Sequence, residues 1–275
     1  MMTRLVSTCL AVLALCGGAA TAQELPALPD AIKDQGTLRV GVRCDQPPYG
    51  FKDQNGDFAG VEVEMARQIA QWATGGQIEM MCVTAENRIP QLTAGKVDML
   101  IATLGKTPER ARVIDYSTPY NWGGSDLLVM KDSPIQKLAD VRQAETVVML
   151  KGTTQAAWFD ANEPDVPTMR LNSISDALQA FKQGRGDVMA ADVATLTVIA
   201  EKDDSVRMVN EPFAISVGGI GVRKNEPEWL AYINAALDRM AKENLYIPWI
   251  EKWAPEDKWG FYKASFPPAP FPEIE

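Results

Sequence analysis

Asn87-Arg88-Ile89-Pro90-Gln91-Leu92-Thr93-Ala94-Gly95-Lys96-Val97-Asp98-Met99-Leu100-Ile101-Ala102-Thr103-Leu104-Gly105-Lys106-Thr107-Pro108-Glu109-Arg110 is the stretch on which the fold turns. Asn87 to Ala94 reads as a short helix stopped by Gly95, and Val97 to Leu104 as a buried strand. Thr107 is an N-cap and Pro108 a first helical residue, so a further helix starts at once. Arg110 falls in its first turn, where a cation opposes the helix macrodipole at a cost of a few tenths of a kcal/mol, up to about 1. A ligand anion beside it would remove that cost, because helix N-terminal amides attract carboxylate or phosphate and a guanidinium adds a bidentate fork. The plainer reading is a solvated side chain pairing with Glu109 or Asp115.

The same alternation extends in both directions. Residues 38 to 43 read as a buried strand, Asn55-Gly56 as a hairpin turn, Val61, Met65, Ile69 and Trp72 as one helix face, and Ile78 to Val83 as a second strand. After the apolar run Ser125 to Met130 the pattern restarts. Strands at Thr146 to Leu150, Thr168 to Leu171 and Asp187 to Ala191 alternate with helices from Thr154, over Ile174 to Gln183, and from Val193. A further apolar strand, Ile215 to Val222, leads into a helix with Trp229, Ile233, Leu237 and Met240 on one side. Such alternation means parallel sheet with crossover helices, an α/β chain. The tail from Pro255 to Glu275, with four prolines after Phe266, is poor material for helix or sheet.

The N-terminus carries Arg4, an apolar core from Cys9 to Leu15 and a small-x-small site at Ala20-Thr21-Ala22, the pattern of a cleaved secretion signal over residues 1–22. Cys16 is not read as a lipid-bearing cysteine, since bulky Leu15 precedes it. No later apolar run reaches the ~18 residues of a membrane span, so an exported, soluble product is expected. Without Arg4 the chain has 26 basic and 36 acidic residues, a net charge of −10 and no basic tract for nucleic acid. Small anions remain admissible, because the field in a cleft is set by the residues lining it. Once the signal is gone, Cys44 and Cys82 are the two cysteines left, a pair expected to bridge in an oxidising compartment. The chain contains no histidine, which removes Ser-His-Asp and Cys-His catalysis and His-based zinc sites; no metal or cofactor is expected.

Arg39-Val40-Gly41-Val42, Pro47-Pro48-Tyr49-Gly50-Phe51, Gly60-Val61-Glu62-Val63-Glu64, the 87 to 120 stretch and Gly152-Thr153-Thr154 occur in an order that resembles the bacterial periplasmic binding proteins for polar amino acids, which serve ABC importers. The resemblance implies a two-lobed periplasmic binding protein fold of type II: two α/β lobes, each a mostly parallel sheet with flanking helices, and a hinge of two crossing strands. Lobe 1 would comprise 23–128 plus 221–275, and lobe 2 would comprise 129–220. Spacing alone gives only two βα units in series.

Polar residues gather at the carboxyl ends of the strands, where open α/β sheets bind ligands: Arg43, Arg88, Thr103 through Gly105 to Arg110, Gly152 to Thr154, and Asp192. The resemblance implies that Arg110, with Gly152, Thr153 and Thr154 facing it, holds an α-carboxylate, and that Asp192 receives the ammonium. Asp192 read by itself is an N-cap, and Thr153 and Thr154 a capped helix start. Arg43 and Arg88 are implied to hold a second, side-chain carboxylate; alternatively Arg88 only caps or packs. Tyr49 and Trp122 are candidate walls. Gly105 and Lys106 depart from the family's hydroxyl and apolar residues. The expectation is a monomeric periplasmic binder, not an enzyme, that takes a polar, first of all acidic, amino acid and passes it to a permease in the inner membrane. Its rivals are a dehydratase-like enzyme on the same scaffold, using Glu86 or Asp45, and a binder of another small anion.

Overall fold

A computed structural model of the chain describes residues 24–271. The expected secretion signal, Cys16 included, and the last four residues lie outside the described residues.

Leu38–Val42 is buried along nearly its whole length, as a strand covered on both faces must be. It pairs in parallel with Ile78–Cys82 on one side and Met99–Ile101 on the other. Gly221–Arg223 and Ile114–Tyr116 complete this five-stranded sheet with antiparallel pairing. One face is covered by Val61–Thr74, through Val61, Met65 and Ile69, and by Pro227–Lys242, through Trp229, Ile233, Leu237 and Met240, the residues whose 3.6 periodicity marks them in the sequence. Val83, Leu92, Val97 and Leu100 pack on the other face. The register sets Val42 opposite Cys82, and Cys44 reaches the same strand end to form the Cys44–Cys82 disulfide, with Cα atoms 5.5 Å apart.

The second sheet has the order Thr168–Leu171, Val147–Leu150, Val188–Asp192, Asn121–Met130, Val206–Met208, with Phe213–Gly218 also on Asn121–Met130. Its first strands are parallel, and those against Asn121–Met130 antiparallel. Apolar clusters cover both faces. Each lobe is thus a sheet between helices, and the architecture is the two-lobed α/β fold of periplasmic binding proteins.

The single strand read over Ile215 to Val222 is two strands, Phe213–Gly218 in the second sheet and Gly221–Arg223 in the first. The break falls where the two hinge segments cross. Tyr120 N donates to Gly218 O at 3.0 Å, and a Cβ on Gly218 would lie 1.9 Å from Asn121 Oδ1, so the Asn121 side chain occupies the space that glycine leaves. The changeover read near residue 128 lies inside Asn121–Met130, whose pairing to the second sheet begins at Asn121.

The tail is more ordered than its composition suggests. A 3-10 turn, Glu256–Lys258, and a helix, Trp259–Lys263, precede the prolines, and Tyr262 and Phe266 are buried in the first lobe's core. Burying two aromatic side chains contributes about 1.5–3 kcal/mol each, enough to override weak local propensity.

Candidate ligand cleft between the lobes

The strand ends of both sheets meet at a cavity of about 310 Å³. Arg43, Arg88, Thr103, Gly105, Thr153, Thr154 and Asp192 line it, as do Tyr49 and Trp122. Arg110 and Gly152 are not among the lining residues; Arg110 joins the lobes, donating from Nη1 to Gly105 O at 2.7 Å and from Nη2 to Gly152 O at 2.9 Å. Its helix, Pro108–Ala111, is a single turn capped by Thr107, too short for the macrodipole argument; the guanidinium instead folds back over its own loop.

The lobes are closed on each other. Gln46 Nε2 of the first lobe donates to Asp192 Oδ2 of the second at 2.5 Å, and Ile174 N donates to Asp45 Oδ2 at 3.3 Å. Gly152, at φ +67°, approaches the opposite lobe so closely that a Cβ would sit 2.7 Å from Ala85 O. Asp192 makes no capping hydrogen bond to the helix Val193–Glu201, although Thr107, Thr153 and Ser173 all cap theirs. Its carboxylate faces the cleft instead. Burial raises the Asp192 pKa, opposed by the Gln46 bond and by Arg43, Arg88 and Arg110.

The two arginines read as a carboxylate pair differ in state. Arg43 is already matched, donating from Nε and Nη2 to Asp45 Oδ1 at 3.1 and 2.7 Å. Arg88 has no carboxylate partner among the described residues. Its Nη1 donates to the carbonyls of Ala102 and Thr103 at 2.6 and 3.0 Å, and its buried Nε has no partner among the described residues. Burial, then Arg110 and Arg43, pull its pKa down to about 9.

Thr103 is held at φ +48°, uncommon and strained for a β-branched residue, which cuts the strand read over Val97 to Leu104 to Met99–Ile101. Glu62 over-determines this turn: its two oxygens accept from Thr103 N at 2.8 and 3.0 Å, and Oε1 also accepts from Tyr120 OH at 2.5 Å. Burial lifts the Glu62 carboxyl to about 7, against these bonds and the nearby Arg43 and Arg88. The turn leaves Thr103 Oγ1 donating to Gln46 Oε1 at 2.9 Å, so one chain of bonds runs from Thr103 through Gln46 to Asp192 across the cleft.

Gln46, Glu62 and Ser216 carry parts of the site that the sequence reading left unassigned. Glu62 stands between Val61 and Val63 in the sequence, but Glu64 shares its helix turn, so nothing local separates the buried acid from an ordinary first-turn one. Gln46 has the weaker signal of standing three residues after Arg43. Ser216 has none: its Oγ lies 2.7 Å from where a Cβ on Gly105 would be, so the hydroxyl absent at Gly105 is matched by one arriving from the hinge strand.

Two α/β lobes joined by crossing strands and closed over a charged cleft define the class: a two-lobed solute-binding protein. Residues 38–256 match the family model of bacterial extracellular solute-binding proteins, family 3, and the chain belongs to that family. It is 30% identical to the ABC transporter glutamine-binding protein GlnH of Bacillus subtilis, with 90% of this chain and 93% of that protein covered. The solved solute receptor for L-cysteine of Neisseria gonorrhoeae is similar at a TM-score of 0.79 and 30% identity, over 83% of this chain and 94% of that one. An ancestral amino acid-binding protein, a precursor of cyclohexadienyl dehydratase, aligns at a TM-score of 0.75 and 31% identity, over 82% and 98%.

Proposed function

We propose that the protein binds a free amino acid between its lobes in the periplasm and delivers it, as a monomer and chemically unchanged, to the permease of an ABC importer. One observation carries this reading: across the closed cleft Asp192 faces the arginine side with a carboxylate spent on no helix cap, the arrangement a zwitterion satisfies at both ends. Arg110, Gly152, Thr153 and Thr154 then take the α-carboxylate and Asp192 the ammonium. Closure excludes water, so these few ion pairs become strong. Relatives that bind glutamine or cysteine support the amino-acid class without choosing the side chain.

For the side chain we favour a carboxylate. Arg88 is buried beside Arg43 and Arg110 and forms no salt bridge among the described residues, so a ligand anion would add the direct partner that Asp192 and Glu62 do not supply. Arg43, neutralised by Asp45, contributes shape more than charge. The dehydratase-like alternative lacks a free acid–base pair: Asp45 is tied to Arg43, Glu86 is exposed, and Glu62 lies behind Thr103, bonded to its amide. A thermal-shift screen over the amino acids tests the reading. It predicts the largest stabilisation from glutamate or aspartate; stabilisation by neutral or basic amino acids alone overturns the acidic specificity, and none at all overturns amino-acid binding.

A further inference from the structure

The family match ends at residue 256, yet the chain continues into the ligand cleft. Residues 257–271 are anchored on three sides. Phe266, fully buried, packs its ring 6.2 Å from that of Tyr49 and 5.6 Å from that of Tyr246 in the first lobe. The hinge strand holds the segment by two bonds from one residue, Trp122 N to Ser265 O and Trp122 Nε1 to Ala264 O, both 3.1 Å. The second lobe holds it through the ion pair of Lys258 with Glu201 and the bond from Tyr262 OH to Ala194 O. This fixed segment presents Phe261 to the cavity.

Phe261 is 43% exposed and Ile215 38%, an uncommon exposure for large apolar side chains, and both line the cleft together with Trp122. Past Trp122 the same strand offers no side chain: Gly123 has open space where a Cβ would stand, and Gly124 lies under Ile215. The cavity is thus lined both by the arginines and by an apolar patch, and Phe261 of that patch lies beyond the residues matched to the family.

We propose that the C-terminal segment is a built part of the binding site, in which Phe261, with Trp122 and Ile215, forms an apolar subsite for the hydrocarbon portion of the ligand's side chain. This rests on the reading of the cleft as an amino-acid site and adds a length preference to it. An added side-chain methylene buried there favours the longer ligand by about fourfold. Glutamate should thus exceed aspartate, and glutamine asparagine, whichever charge the site prefers.

Calorimetric titration of the full mature chain with both pairs, for the wild type, Phe261→Ser and Phe261→Leu, tests the proposal. The expected result is a preference for the longer member that is lost in Phe261→Ser, kept in Phe261→Leu, and accompanied by thermal midpoints of the ligand-free variants within about 2 °C of the wild type. Equal weakening of both members of a pair, or an unchanged preference, overturns the subsite while leaving amino-acid binding intact. Failure of all four ligands to bind the wild type overturns the subsite and the acidic specificity together, and amino-acid binding falls with them if the other amino acids fail as well.

Discussion

Replacing Asp192 by Asn separates the charge of this residue from its shape. The amide oxygen of Asn can still accept from Gln46 Nε2, so the bond that now joins the lobes at 2.5 Å is retained and only the negative charge disappears. In the ligand complex that charge faces an ammonium. Two unit charges about 4 Å apart at an effective dielectric of about 20 attract by about 4 kcal/mol, and desolvation of both partners takes back part of this. The net worth of a hydrogen bond to a charged group, about 1.5–3 kcal/mol, is the better guide, so Asp192→Asn should weaken binding by roughly 10- to 150-fold. The ligand-free protein should not suffer. Burial raises the Asp192 pKa, which means the ionised form is disfavoured where it stands, and a neutral isostere relieves that strain. Titration calorimetry with the best ligand, alongside urea unfolding of the ligand-free protein, measures both. Affinity within threefold of the wild type, or an unfolding midpoint clearly below it, would show Asp192 to be structural and refute the reasoning.

Reduction of the Cys44–Cys82 bridge, which spans 38 residues, should cost about 4 kcal/mol in the chain-entropy model; identical urea midpoints with and without reductant would contradict this. Glu62, raised from its ordinary 4.5 to about 7, binds its proton more tightly in the folded state, so its contribution is full below 4.5 and is lost as pH rises through 7, with a slope of up to about 1.4 kcal/mol per pH unit between. The stability difference between wild type and Glu62→Gln should therefore shrink and reverse toward higher pH, and a flat difference would refute the assignment. Gly152→Ala places a methyl 2.7 Å from Ala85 O of the other lobe at a φ of +67°, so it should impede closure, lowering affinity at least about tenfold while costing roughly 1 kcal/mol of lobe stability. Small-angle scattering checks it: a ligand-induced compaction equal to the wild type's would count against the contact.

Where a pattern is periodic and locally decided, the fold could be read from the residues alone. The helix faces of Val61, Met65 and Ile69 and of Trp229, Ile233 and Leu237, and the caps at Thr107 and Thr153, needed no tertiary information. What escaped depends on residues distant in sequence. The break of one apolar strand at Gly218 answers Asn121 on the other hinge strand, and the early end of the strand before Thr103 answers a carboxylate from a different helix. The candidate site shows the same division. Strand-end position brought Arg43, Arg88, Thr103 and Asp192 to one cavity, but nothing local to Arg43 says that Asp45 turns back to pair with it rather than facing solvent. The order of the tail is not legible in its proline content, because it comes from the burial of Tyr262 and Phe266 against residues distant in sequence.

Native mass spectrometry of the mature protein, purified without refolding and exposed to an equimolar mixture of the amino acids, bears most directly on the central claim. The account predicts a single one-to-one adduct with the mass of one unaltered amino acid, glutamate or aspartate first, that is clearly diminished in Asp192→Asn protein. No adduct with any amino acid, or conversion of a bound amino acid to a product of different mass, would contradict it.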